Sequence, residues 1–242
     1  MSEWRIGRGW TDAELRERLA QAARLPRNFA EAPEALPEAP GWRRYYSEAV
    51  VGREAPGPAR PDGPFARGCV AVASYAFSDP RIVIGHFDPE APLLGRPMLL
   101  EMRALRAVRF LGPVVVGAVR EATVDGTDDE TVYGFRYDTL DGHIERGAEW
   151  FTLTKAHRTG DLRFRIEAYW QPGQFPTWWS RLGFATLGPR YQKVWHHRAH
   201  ALLARLVREP AVRAPDGTDG AVVHASPAVV FERFPPRDLP TP

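Results

Sequence analysis

The sequence predicts an α+β fold: a curved antiparallel sheet of about six to seven strands with a long C-terminal helix packed on one face. Three observations predict it. Leu162, Phe164, Ile166, Ala168 and Trp170 alternate without a break with Arg163, Arg165, Glu167 and Tyr169, the period of a strand with one buried face. Arg158-Thr159-Gly160-Asp161 supplies a hairpin-type connection, so strands read at 131–140, 149–156 and 162–170 form a meander. At 100° per residue, Tyr191, Val194, Trp195, Ala199, Leu202, Leu203 and Leu206 share one face of a helix that starts at Pro189 and runs to Val207.

The remaining elements follow in order. Thr11 followed three residues later by Glu14 is a capping-box signal for a helix over 12–25, with Leu15, Leu19, Ala22 and Ala23 as its apolar stripe and Pro26 as its stop. The Ala/Pro/Glu-rich run 31–40 reads as an extended connector. Residues 41–51 read as a strand and the proline-punctuated run 54–64 as a surface loop. Residues 65–77 carry strand and helix signals together, and the spacing of Phe65, Cys69, Val72 and Ala76 favours a buried helix. Strands are expected at 81–87, 98–110 and 112–124, with loops at 88–97 and 125–129. Residues 175–188 read as a short amphipathic helix separate from the long one. The domain then spans 1–208, and 209–242 reads as a Pro/Gly-rich tail in which 221–231 could dock as an extra strand.

Composition bounds the function. A chain of 242 residues, 44% hydrophobic with eight Trp, folds around a substantial core. Its net charge of +2 does not argue for nucleic acid. Cys69 is the sole cysteine, which excludes an intramolecular disulfide and a cysteine-based zinc site. No window approaches 18 uninterrupted apolar residues and the first ten residues lack the apolar segment of a signal peptide, so the expected location is cytoplasmic. Phosphate loops, serine nucleophile elbows and metal signatures are absent, and neither cofactor nor metal is expected.

Tyr137-Asp-Thr-Leu-Asp-Gly-His143 and Glu145-Arg-Gly-Ala-Glu149, with Leu182-Gly183 ahead of an aromatic, Arg-rich helix, resemble the DUF1990 family of domains of unknown function. That family typically shows Tyr-Gly-Thr-Leu-Pro-Gly-His and Glu-x-Gly-Glu-Glu at these places. Asp138, Asp141 and the long loop at 52–64 depart from its pattern. The resemblance implies no activity and transfers no catalytic residue. The order of elements is also similar to the helix-grip fold of START and Bet v 1-like proteins, an analogy of fold alone.

The densest ionisable chemistry lies at 141–149, read as a turn between two strands. His143 beside Glu145 or Glu149 suits general acid–base work, and the same groups also suit a hydrogen-bonded turn. Arg198 falls within the apolar face of the last helix, where Glu145, Glu149 or Glu167 could pair with it, or where it could meet an anion. His196 and His200, four apart, are expected on the polar side of that helix, and Trp178-Trp179 is expected in the core. The leading expectation is a small-molecule or lipid-like, largely apolar ligand in a cavity between sheet and helix. Its ligand-binding residues are Tyr133, Phe135, Tyr137, His143, Arg146, Glu149, Tyr191, Trp195 and Arg198, with Phe164 and Ile166 completing the wall. The alternatives are an enzyme using His143 and a carboxylate, and an interaction module with a filled core. Oligomeric state stays open.

Overall fold

Thr11 and Glu14 make the capping box that their spacing predicts: the Glu14 amide donates to Thr11 Oγ1 at 3.3 Å and the Thr11 amide to Glu14 Oε2 at 2.7 Å. They start helix α1 over Asp12–Ala22, whose Leu15, Leu19 and Ala22 pack on Leu99 and Leu111. A computed structural model of the chain describes residues 3–104, 108–124, 129–173, 178–208 and 230–234. In it, strands β1 (Glu3–Ile6), β2 (Arg43–Arg53), β3 (Val83–His86), β4 (Pro97–Ala104), β5 (Val108–Val124), β6 (Glu130–Thr139), β7 (Glu145–Ala156), β8 (Asp161–Pro172) and β9 (Val230–Phe234) form one antiparallel sheet. The order is β3-β4-β5-β6-β7-β8-β2-β9, with β1 on β5. The seven strands read from the sequence are β2–β8; β1 and β9 are added.

Bulges at Val50/Gly52 and Val116/Ala118 bend the sheet. Its concave face takes α2 (Pro64–Ala73) and the long helix α3 (Trp178–Arg208), which pack on each other. This is a helix-grip-like arrangement, and the core lies inside the grip. Phe77 sits 4.9 Å from Phe151, 5.1 Å from Phe164 and 6.3 Å from Trp195, centroid to centroid. Burying each such ring contributes about 1.5–3 kcal/mol, so this aromatic knot holds the two layers together.

Several expectations are corrected. The run 175–188 and the helix from Pro189 are one helix over its described part, Trp178–Arg208, and Pro189 lies inside it. Proline's fixed φ is helical, so it forgoes one backbone bond without ending the helix. The strands expected at 98–110 and 112–124 are Pro97–Ala104 and Val108–Val124 instead, and Gly112 and Pro113 stay in the ladder opposite Leu100 and Leu99. The connector 31–40 contains a 3₁₀ turn at Pro33–Ala35 and buries Phe29 and Leu36 on its flanks against Trp42. The presumed turn at 143–149 is already strand from Glu145 onward. Gly147 read as a turn glycine; it is a strand residue with φ +153, where a Cβ would lie 2.0 Å from the Tyr169 carbonyl.

The buried face of α3 is also rotated from the expected one. Trp195, His196, Ala199, His200, Leu203, Ala204 and Val207 face inward, whereas Val194 and Arg198 are exposed. Two histidines counted as solvated are inside because a strand residue meets them there. The side chains of Trp178, Trp179 and Leu182, residues 125–128 of the expected loop, residues 174–177, and residues 209–229 and 235–242 of the expected tail lie outside the described residues.

Candidate functional site

Strand alternation decides which polar groups enter the grip. On β7, Glu145, Glu149, Phe151 and Leu153 share the concave face, while Arg146, Ala148 and Trp150 take the other. On β6 the same face carries Phe135 and Tyr137, and on β2 it carries Tyr45, Ser47 and Ala49.

Glu149 stands at the centre of the polar groups that result. Tyr137 donates a short hydrogen bond from its hydroxyl to Glu149 Oε2, and His196 Nε2 lies 4.0 Å from Glu149 Oε1. Burial pushes the Glu149 carboxyl up to about 8; the Tyr137 bond offsets part of this and the charge of Glu145 adds to it. Glu145 keeps part of its surface open, yet the protein around it removes enough water to push its carboxyl up to about 7. Among the described residues its carboxyl has no hydrogen bond or ion pair. Tyr137 and Tyr75 are raised well above the usual phenol value, by burial first and then by Glu149. Tyr75 reaches this place from a left-handed backbone, φ 57, directly after α2, a conformation that L side chains adopt only when packing imposes it.

Beyond Glu149 the chain of polar contacts continues under the helix. Ser47 Oγ is 2.6 Å from His196 Nδ1 and 2.9 Å from His200 Nε2, and all three residues are fully buried. Burial drives His196 far below its usual value and His200 down to about 3, so both rings are neutral. Tyr45 meets the His196 ring edge-on at 4.6 Å, and the Trp195 indole donates to Ser78 Oγ at 3.0 Å.

The remaining sequence candidates sort by position. His143 is buried, and its Nδ1 lies 3.1 Å from both the amide nitrogen and the carbonyl oxygen of Glu145, which holds the start of β7. Its ring rests on Gly112, where a Cβ would lie 2.5 Å from it. Burial lowers it to about 4, and it forms no ion pair with either carboxylate among the described residues. Arg146 is on the opposite face, bonded to Gln171, so it does not enter the grip. Arg198 is at the surface and pairs at 2.8 Å with Asp79, not with Glu145, Glu149 or Glu167. Phe135, Phe164 and Ile166 are fully buried, and Phe135 packs 5.2 Å from Phe151; Tyr133 and Tyr191 are half-buried at the margin of the same cluster. The expected wall is thus closely packed over much of its length. Two hollows occur elsewhere: about 600 Å³ under the 54–64 loop and about 470 Å³ beside Arg27, Arg136 and Asp138. Among the described residues no group of three or more His, Cys, Asp or Glu is placed to hold a metal ion. No described helix is long and apolar enough to cross a membrane.

The family model described as "Domain of unknown function (DUF1990)" matches residues 20–203. The chain belongs to the DUF1990 family. That match takes in β2, α2, the meander and α3 through Leu203, and so every member of the polar array. A comparison with curated proteins returned no match. Among solved structures, the crystal structure of Ara h 8.0201 is similar at 13% identity and TM-score 0.38, over 69% of this chain and 98% of that one. The crystal structure of human STARD10 is similar at 8% identity and TM-score 0.34, over 83% of this chain and 82% of that one. Likenesses this distant carry no functional conclusion. Asp138, which departs from the family pattern, accepts from Arg136 Nε at 2.7 Å, and Arg136 Nη1 donates to Glu34 at 2.7 Å. The departure thus comes with its own partner and pins the 33–35 segment to the outer face.

Of the residues in this polar array, the sequence alone singled out Tyr137, Glu145 and Glu149 and gave no sign of Ser47, Tyr75 or Ser78. A lone serine in an aromatic strand gives no signal of its own. Read against the correct face of α3, His196 and His200 at four-residue spacing would have pointed to a polar partner on the sheet.

Proposed function

We propose that this DUF1990 domain binds a small molecule with an apolar body and a hydrogen-bond donor, where Glu145 and Glu149 lie on the concave face. One observation carries the reading: two desolvated carboxyls lie near each other, and among the described residues the Tyr137 hydroxyl is the one donor within hydrogen-bond distance of either. Burial pushes the Glu149 carboxyl up to about 8, so it holds its proton at neutral pH for want of partners, and a donor that lets it ionise relieves that cost. An incoming N–H or O–H meets that need, and an amine adds charge assistance. Trp195 of α3 and Phe151 of β7 supply apolar surface in the same cluster as Tyr137, with Tyr191 at its margin. In this reading Tyr137, Glu145, Glu149, Tyr191 and Trp195 face the ligand. Tyr133 and Phe135 shape the wall, His143 sets the position of Glu145, and Arg146 and Arg198 take no part.

The test is native mass spectrometry of freshly purified protein, followed by titration with a long-chain primary amine and the matching carboxylic acid. A co-purifying small molecule, or binding of the amine in preference to the acid, is expected. Both should be lost in Glu149→Gln and Glu145→Gln while the fold persists, since site residues seldom optimise stability. Equal binding of amine and acid, or binding unchanged in both variants, would overturn the reading.

A further inference from the structure

Ser47 has one proton and sits between two ring nitrogens, 2.6 Å from His196 Nδ1 and 2.9 Å from His200 Nε2. A hydroxyl in that position can donate to only one of them, so the other ring must donate to it. Two arrangements satisfy both contacts. In the first, Ser47 donates to His196 Nδ1 and His200 Nε2–H donates to Ser47. His196 then carries its proton on Nε2, facing Glu149 Oε1 at 4.0 Å, and His200 Nδ1 is bare. In the second, every bond is reversed: His196 Nδ1–H donates to Ser47, Ser47 donates to His200 Nε2, His196 Nε2 is bare and His200 Nδ1 holds a proton. The first suits a carboxylate at Glu149, the second a carboxylic acid.

We propose that Ser47, His196 and His200 form a buried proton relay for Glu149, so that the site exchanges a proton with its ligand as well as holding it. This deepens the proposed ligand site and rests on it for the group that gives or receives the proton. The transfer balances. Once the 4.0 Å gap between His196 Nε2 and Glu149 Oε1 has closed to hydrogen-bond reach of about 3 Å, His196 Nε2 gives its proton to Glu149, Ser47 gives its own to His196 Nδ1, His200 Nε2 gives its own to Ser47, and water supplies one to His200 Nδ1. Both rings are neutral before and after, which fits their full burial and depressed basicity. A charged imidazolium under α3 would be strongly disfavoured, whereas a change of tautomer moves no net charge into the core. His200 Nδ1 has no hydrogen-bond partner among the described residues and is shielded from solvent, so the chain ends there and exchanges with water only when α3 moves to admit one. The titratable groups that face the array are Tyr137 on β6, Glu145 on β7, Tyr45 on β2 and Tyr75 after α2, while His197 is on the exposed side of α3 and acts on it only through its charge. Of these, Glu145 titrates closest to Glu149, so its replacement by Gln is the reference background.

The experiment reads histidine tautomers directly, by two-bond ¹H–¹⁵N spectra of the ligand-free full chain from pH 6 to 9.5, with the Glu149 carboxyl followed by its ¹³C shift. Both rings are expected to reverse tautomer together as Glu149 titrates near 8. In Ser47→Ala, His196 should still follow Glu149 and His200 should not. In Glu149→Gln, which does not depend on Ser47→Ala folding, neither ring should change. A ring that stays fixed while Glu149 titrates, a His200 that follows in Ser47→Ala, or a reversal that persists in Glu149→Gln would overturn the relay. Amine binding and co-purified ligand bear on the ligand reading alone, so the two can fail separately.

Discussion

At the scale of single residues, the carboxyls and the histidines pull stability in opposite directions as pH changes. Glu149 rises from an ordinary 4.5 to about 8 on folding, and Glu145 to about 7. Between the unfolded and folded values the native state holds more protons than the unfolded one, so stability falls as pH rises through that window. His143 and His200 run the other way: folding lowers them from 6.5 to about 4 and about 3, so stability rises with pH until the unfolded value is passed. The expected profile is a dome with its top between about pH 4.5 and 6.5, where the two windows overlap. Glu149→Gln should flatten the alkaline limb, removing on the order of 2 kcal/mol of the difference between pH 5 and 8.5. Denaturant melts of wild type and variant at those two pH values check it. A wild-type stability that climbs steadily to pH 8.5 would show that neither carboxyl is desolvated.

At the scale of elements, the alternation on β8 ties sequence to packing most directly. Phe164 is fully buried, 5.1 Å from Phe77 and 5.3 Å from the His200 ring, so it closes the sheet on the helix. Phe164→Ala is expected to cost about 3–5 kcal/mol, and a melting temperature within a degree or two of wild type would place that strand in solvent. The loop after β2 depends on another buried contact. Lys155 Nζ lies 3.0 Å from Glu54 Oε2 and donates to the Pro58 carbonyl at 2.8 Å, with the lysine side chain fully enclosed. A chain with only two lysines among its 32 basic residues places one here, where a compact ammonium fits. Lys155→Met leaves a buried carboxylate without its cation and should cost about 3–5 kcal/mol. Adding Glu54→Leu should recover most of that loss. If the double variant is no more stable than the single one, the two residues are not coupled.

At the scale of the whole molecule, the sheet is completed from both ends of the described chain. Residues 3–6 lie on β5, and Val230–Phe234 pair with Arg44–Glu48 along the edge of β2. A sheet edge left with unpaired amides and carbonyls recruits another strand. Deleting 209–242 should therefore make the protein associate as concentration rises, with little change in melting temperature, because the aromatic core is untouched. Sedimentation velocity across a hundredfold concentration range is the check. A deletion variant that remains monomeric would show that β2 needs no cover. A lost core instead would appear as a melting temperature lowered by tens of degrees.

What depends on local periodicity and composition was legible in the sequence: the meander, the capping box of α1, a long C-terminal helix, and the dense ionisable groups at 141–149. Residues two apart on a strand share a face whatever the strand packs against, so the side of Tyr137 and Glu149 was legible before any partner was known. The tertiary structure alone decided which polar groups could be buried. Hydrophobicity counts histidine as a surface residue, so the face of α3 was misplaced; Ser47, on a strand about 150 residues earlier, makes burial of His196 and His200 tolerable by meeting both rings. Likewise Arg198 found Asp79, and Gly147 proved to be a close approach of strands rather than a turn. In each case the deciding term is a contact between residues far apart in the chain, and no window of sequence contains both partners.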